Sequence, residues 1–320
     1  MSREHVNLVV TCTARKTAPV LGSLMMRSLR RDRLDCRFSD WSERLRSENL
    51  ERKKASELYC GNYWSVIREI AANEKLPNRL RIWVISAGHG LVSIDESLAP
   101  YAATFSSGDD DSVIPPELSS HSVAEWWGKL VCRRRQDGGS VASISDIARL
   151  HPKEPLIAAI SNQYFKAVAN DLEEARSALA NADRLIIIAA GAVKSGALAK
   201  NLLPCDSRLE HRYGRSRMAL NARILREIVH RFSGNGISAS RLSLRFKAML
   251  SRLPKAGYPE RLPSEDKEVR SFIRREIAKS EKSAYTVLLR QYRATGQACE
   301  QKRFRGIFRE VVANKNEAKD

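Results

Sequence analysis

The chain has 320 residues, 43% of them apolar, and a net charge of +18. That length holds one large domain or two ordinary ones, with enough apolar residues for a real core, which excludes a disordered chain. The longest strongly apolar run, Leu185–Val193, is too short for a membrane-spanning helix, which needs about 20 residues.

The charge points to a polyanionic partner, nucleic acid before an acidic membrane surface. It is unevenly spread. Residues 205–320 carry 27 Lys and Arg against 13 Asp and Glu, a net of +14, which leaves only +4 for residues 1–204. A near-neutral domain is followed by a strongly basic one. Cys12, Cys36, Cys60, Cys132, Cys205 and Cys299 form no CxxC pair or Cys/His cluster. Their scatter fits a reducing compartment and argues against a disulfide framework or a structural zinc site. With no charged-then-apolar leader at the start of the sequence, a cytoplasmic protein is expected.

In chain order, Val6–Thr11 reads as the first strand, ending in the small, polar, then basic turn Thr11-Cys12-Thr13-Ala14-Arg15-Lys16. Hydroxyl, thiol and backbone N–H groups followed by two cations suit an anion, although an ordinary strand-to-helix turn would look the same. Residues 19–54 read as charged amphipathic helix or insertion, and 55–72 as a helix interrupted at Gly61. Tyr59, Tyr63 and Trp64 there offer stacking faces but belong more naturally to a core.

The apolar run Ile82-Trp83-Val84-Ile85 then breaks into Ser86-Ala87-Gly88-His89-Gly90, a buried strand ended by a glycine turn. Gly88 and Gly90 permit close backbone approach and flank a histidine placed like a functional group. Asp95 follows, and Pro100 holds Tyr101 in an extended segment. Residues 106–122 read as a mobile loop, Trp126 and Trp127 as a packing anchor on a short helix, and 133–143 as loop.

Pro155–Ile160 is a third strand, ending in Ser161-Asn162-Gln163-Tyr164-Phe165, whose polar groups suit a base edge or a helix cap. Leu185–Ala190 is a fourth, closing at Gly191. The following segment lacks the spacing of a phosphate loop, so ATP binding is not expected. Short apolar strands alternating with helices predict a Rossmann-like, mostly parallel α/β sheet with ligands outside the carboxyl strand ends. The turns at Cys12, His89, Asn162 and Gly191 should therefore share one edge.

Beyond residue 204 the pattern is helical. Arg212, Arg215 and Arg217 precede a helix and suit phosphate. Three further helices are expected at about 266–279, 284–294 and 300–312. A Thr-Gly turn before the Arg-rich last helix suggests a helix-turn-helix in which Lys302, Arg303 and Arg305 face nucleic acid, with Arg274, Arg275, Arg290 and Arg293 on neighbouring helices.

Three motifs in order resemble the YaaA-like superfamily: the Thr11–Lys16 turn; Ser86–Leu91 with Asp95, Ala99-Pro100-Tyr101 and Thr104-Phe105; and Ser161-Asn162-Gln163-Tyr164-Phe165-Lys166-Ala167-Val168. Together they cover most of residues 6–190. The sequence departs from that pattern in having His89 where Tyr is common, a charged insertion after the first strand, and the basic helical C-terminus. The resemblance implies DNA binding and base-level chemistry within a modification, repair or defence system, with room for partner proteins of such a system.

The expected organisation is an α/β domain over 1–204, a basic helical extension over 205–263, and a trihelical nucleic-acid-binding candidate over 264–320. The expected partner is nucleic acid, DNA before RNA, with no membrane, metal or cofactor. In the catalytic reading, glycosylase- or lyase-like, His89 is the general acid/base and Asp95 orients it or activates water. Tyr101 and Tyr164 hold the base, Asn162 reads its edge, and Arg15 and Lys16 neutralise phosphate. Thr11, Cys12, Thr13, Ser86, Gly88, Gly90 and Gly191 would line the pocket. A non-catalytic DNA-binding component and a small-molecule nucleotide enzyme are the alternatives.

Overall fold

The computed structural model describes residues 5–46, 50–73, 79–192, 196–214, 217–231, 237–254, 261–279 and 284–317. It divides into two units, Met1–Pro254 and Lys255–Asp320. In chain order the first contains β1 (Val6–Thr11), α1 (Leu34–Arg46), α2 (Asn62–Ala71), β2 (Leu80–Ser86) and β3 (Gly90–Ser93). It continues with α3 (Val123–Gln136), α4 (Ile144–Leu150), β4 (Leu156–Ala159), α5 (Asn162–Ala178), β5 (Leu185–Ile188), α6 (Leu220–His230) and α7 (Ala239–Arg252).

The sheet runs β3-β2-β1-β4-β5. β2, β1, β4 and β5 are parallel, and β3 turns back antiparallel on β2. Every residue of β1, β4 and β5 is buried, as expected for continuous apolar strands covered on both faces. The covering helices start where short polar side chains satisfy their first N–H groups. Ser122 with Glu125 and Ser143 with Asp146 form capping boxes on α3 and α4, and the Ser161 hydroxyl accepts from Tyr164 N–H on α5.

Where helix was expected over 19–54, the chain forms two short 3-10 turns before α1. The buried Arg37 guanidinium explains the difference. It donates to the carbonyls of Met26, Leu29, Arg30, Ser112 and Val113, tying this segment to the loop 106–122. That loop is also pinned by Thr104 N–H to Asp111 O at 2.9 Å and by Arg27 Nε to the Asp111 carboxylate at 2.9 Å, so the expectation of a mobile loop is corrected. Residues 133–136, expected as loop, continue α3.

The charge step at residue 204 is not the unit boundary. Leu220, Ala222, Ile224, Leu225, Ile228 and Val229 of α6 join the same core as the sheet. The second unit has its own core, formed by α8 (Asp266–Lys279), α9 (Tyr285–Ala294) and α10 (Gln301–Glu317) around Phe272, Ile273, Leu288, Tyr292 and Phe304. Between α9 and α10 the chain pairs Gln297–Ala298 with Leu262–Pro263 as a short parallel ladder. The connection is therefore longer than the turn of about three or four residues that joins a helix-turn-helix.

Candidate functional site

From β1 the chain crosses to β2 on one side and later returns to β4 on the other. The carboxyl ends of β1 and β4 thus form a topological switch point, the place where open α/β sheets collect ligands. Cys12 follows β1, and Tyr164 lies in the first turn of α5 after β4. Their side chains meet, Cys12 Sγ to Tyr164 Oη at 3.0 Å. Parallel pairing places the carboxyl ends of β2, β1, β4 and β5 on one edge, where the sequence reading expected the turns at Cys12, His89, Asn162 and Gly191 to meet.

The turn after β1 is fixed by α2 and the residues before it. Thr13 Oγ1 donates to the carbonyls of Arg15 and Cys60, Cys60 N–H to Arg15 O, and Tyr63 Oη to Ala159 O at 2.7 Å. Trp64 Nε1 donates to Thr11 O, which leaves Thr11 buried beneath the turn. The aromatics of this helix are core residues whose polar tips close strand ends; they do not stack on a ligand.

Lys16 is held half-buried above this floor. Its Nζ donates to Thr13 O at 2.7 Å and lies 4.3 Å from the centre of the Tyr101 ring. Burial holds the ammonium below the ordinary lysine range, opposed by the acidic groups Cys12, Asp111 and Cys60 around it. Arg15 beside it is exposed, and Asn162 is half-buried as the first residue of α5. Gly191 is exposed at the end of the β5 turn with φ +81°. The accessible part of the edge is therefore cationic and amide-bearing, over a floor of thiol and phenol.

His89 does not belong to it. The ring is 6% exposed, packs edge-on against Tyr101, and lies with Nε2 3.1 Å from Ala99 O, so Nε2 carries the proton and donates. Burial, with the Arg133 guanidinium nearby, pushes its pKa down to about 3. A buried, neutral imidazole bonded to backbone is no general acid/base at neutral pH. Arg133 itself donates to His89 O, and Trp41 and Trp126 donate Nε1–H to the carbonyls of Gly88 and Ala87, so the turn is clamped from all sides.

The other catalytic assignments around it change as well. β3 carries the chain back across the sheet, so the exposed Asp95 lies at the opposite edge and does not orient His89. Tyr101 is fully buried, its hydroxyl 2.6 Å from Ser86 Oγ and 3.0 Å from Tyr59 Oη; it supports Lys16 but has no face for a base. Tyr164 is 8% exposed and packs edge-on against Phe105, so it too lines the floor. Burial raises the pKa of both phenols, which keeps them neutral. Ser86 is buried, its hydroxyl accepting from His89 N–H.

The close backbone approach at Gly88 is real but internal. A Cβ there would sit 2.6 Å from Tyr101 Cδ2 and 3.0 Å from Trp41 Cζ2. Gly90, at φ +88°, makes the hairpin turn, and its Cβ would fall 3.1 Å from Arg134 Cγ. The glycines admit the protein's own rings and helix α3, so neither lines a pocket.

A residue outside the motifs completes the edge. Asn221, at the start of α6, donates Nδ2 to Ile160 O at 2.6 Å and accepts from Ala190 N–H at 3.4 Å. It ties α6, which carries Arg223 and Arg226, to the ends of β4 and β5. Two residues on, Arg223 donates to Tyr213 O and lies 3.5 Å from the side-chain oxygen of Asn62 on α2. Arg212, Arg231 and Arg245 surround a single carboxylate, Glu227, at 3.6, 3.2 and 2.8 Å, leaving an excess of positive charge on this surface. Arg217 pairs with Glu210, and Arg215 lies outside the described residues.

In the second unit Arg274, Arg275, Arg290, Lys302, Arg303 and Arg305 are exposed. Arg275 pairs with Glu276, and Arg305 stands over the Tyr285 ring. Arg303 joins Asp266 and Ser264 O, and Arg293 donates twice to Cys299 O, so both also brace the fold.

Among the described residues no group of His, Cys, Asp and Glu could hold a metal ion. The chain matches no protein-family model, no curated protein and no solved structure. Cys12 and Ser161 lie in two of the motifs read from the sequence, whereas Asn221 on α6 lies outside all of them. The hydrophilic Asn221 on the otherwise apolar start of α6 was the one available signal.

Proposed function

We propose that this chain is a nucleic-acid-binding protein, preferring DNA, whose switch-point edge recognises a base or modified base. The observation that carries this reading is the joining of the edge to α6, around which Arg212, Arg231 and Arg245 outnumber the Glu227 carboxylate. Asn221 fastens α6 to the ends of β4 and β5, beside a turn that presents Arg15 and Lys16. Backbone phosphates are held by such cations, while amide side chains like Asn162 supply the donor and acceptor pair that distinguishes base edges.

The geometry favours recognition over catalysis. His89 is neutral and buried, Asp95 is at the other edge, and Cys12 is 5% exposed. Lys16 is the titratable group left at the mouth of the edge for the glycosylase- or lyase-like alternative, as an amine whose charge burial disfavours. The resemblance to the YaaA-like superfamily, with its modification, repair and defence setting, agrees with either form. The helix-turn-helix reading of the second unit is not needed for it.

The test is incubation of the full chain with genomic DNA and with oligonucleotides carrying modified bases, followed by affinity measurement and mass spectrometry of released nucleobases. The expected result is binding that discriminates between modified and unmodified oligonucleotides, with no base released. Base release would replace recognition by catalysis, with Lys16→Arg as the next variant. Absence of binding to every substrate would remove the reading.

A further inference from the structure

The second unit carries a groove that the nucleic-acid reading does not require. Two adjoining depressions, of about 420 and 300 Å³, lie between the start of this unit, α9 and the first turn of α10. Arg261 and Arg293 line both. Arg303 closes one end and Arg290 the other, with Thr286 beside it.

The charges there are not equal in standing. Arg303 is matched by Asp266. Glu300 also faces the groove; its carboxylate accepts from Lys302 and Arg303 N–H at 3.1 Å each, which fixes it on the first turn of α10 while its charge still acts on Arg293. Arg293 is oriented by two bonds to Cys299 O, and Arg261 by one from Nε to Arg293 O at 3.2 Å. Among the described residues no carboxylate comes within ion-pair distance of Arg261, Arg290 or Arg293. Arg261, Arg290 and Arg293 thus line the groove with N–H groups to spare and outnumber the Glu300 carboxylate, leaving an excess of positive charge that an anion relieves. The forked geometry of guanidinium suits phosphate oxygens taken two at a time.

We propose that this groove binds phosphate groups, and that it seats consecutive phosphodiesters of a nucleic-acid strand. The proposal rests on the nucleic-acid reading above and locates the second unit's share of the affinity. Because these cations touch backbone and not bases, the groove should add affinity without sequence preference.

The experiment compares the full chain with its Arg261→Gln/Arg290→Gln variant by fluorescence anisotropy on labelled DNA duplexes of several unrelated sequences over a salt series. Both side chains are exposed, so circular dichroism should show an unchanged fold; Arg290→Gln alone is the second variant should the double substitution disturb it. The expected result is an affinity about tenfold or more weaker on every sequence, with a salt slope shallower by about one per arginine removed. Wild-type binding that the variants leave unchanged in affinity and slope would overturn the groove while leaving the nucleic-acid reading intact. Wild type that binds inorganic phosphate, through Arg261 and Arg290, but no DNA would overturn the phosphodiester assignment together with that reading.

Discussion

At the scale of single residues, the loop around His89 shows how far chemistry can be misread from composition. A histidine between two glycines has the look of a catalytic group, yet Gly88 exists to admit Tyr101 and Trp41, and the imidazole is a buried donor to Ala99 O. Sequence could not separate these cases, because close approach to a ligand and to a neighbouring ring both demand the missing Cβ. The structural role has a measurable consequence. A histidine whose pKa falls from about 6.5 unfolded to about 3 folded binds its proton only in the unfolded chain between those values, so its contribution lowers stability as pH falls. The sign is opposite to that of a histidine gaining a carboxylate partner. Between pH 7 and pH 5 this residue should cost about 2 kcal/mol of stability. Urea unfolding at the two pH values should show that loss in the wild type and not in His89→Gln; equal losses in both would contradict the buried neutral imidazole.

At the scale of elements, the strands were legible because each is a short, wholly apolar run with a polar or glycine end, and all four expected parallel strands are present. The antiparallel β3 was not, since Gly90–Ser93 has neither the length nor the pattern of a strand by itself and exists through its pairing with β2. Residues 19–33 were misread for a related reason. Their leucines suggest a helix, but Arg37, eleven residues beyond Met26, captures the carbonyls of Met26, Leu29 and Arg30 that a helix would have kept, and binds those of Ser112 and Val113 besides. Asn221 is the corresponding long-range device at the site. Asn221→Ala would leave Ile160 O without its donor at a buried strand end, and should destabilise the first unit by about 1–3 kcal/mol in urea unfolding. A change below about 0.5 kcal/mol, the range of an ordinary surface substitution, would mean that α6 is not held to the edge by this residue.

At the scale of the whole molecule, the unit boundary and the charge boundary are different things. Charge rises at residue 205, but the helices that follow bury leucine and isoleucine in the core of the sheet, and the second unit begins at Lys255. Composition reports what a surface carries; which core a helix completes depends on the spacing of its apolar face, and α6 has that spacing. Positive charge consequently belongs to both units, on α6 and α7 of the first and in the arginine groove of the second. An excess of cations on both fits a partner that extends over many phosphates better than it fits a small nucleotide.

The salt dependence of DNA affinity, measured by titration of a labelled duplex with the full chain, tests that claim most directly. Affinity should fall linearly in log–log form with a slope of several units, because each neutralised phosphate contributes about 0.9. Affinity that is absent at low salt, or present with a slope near zero, would contradict it.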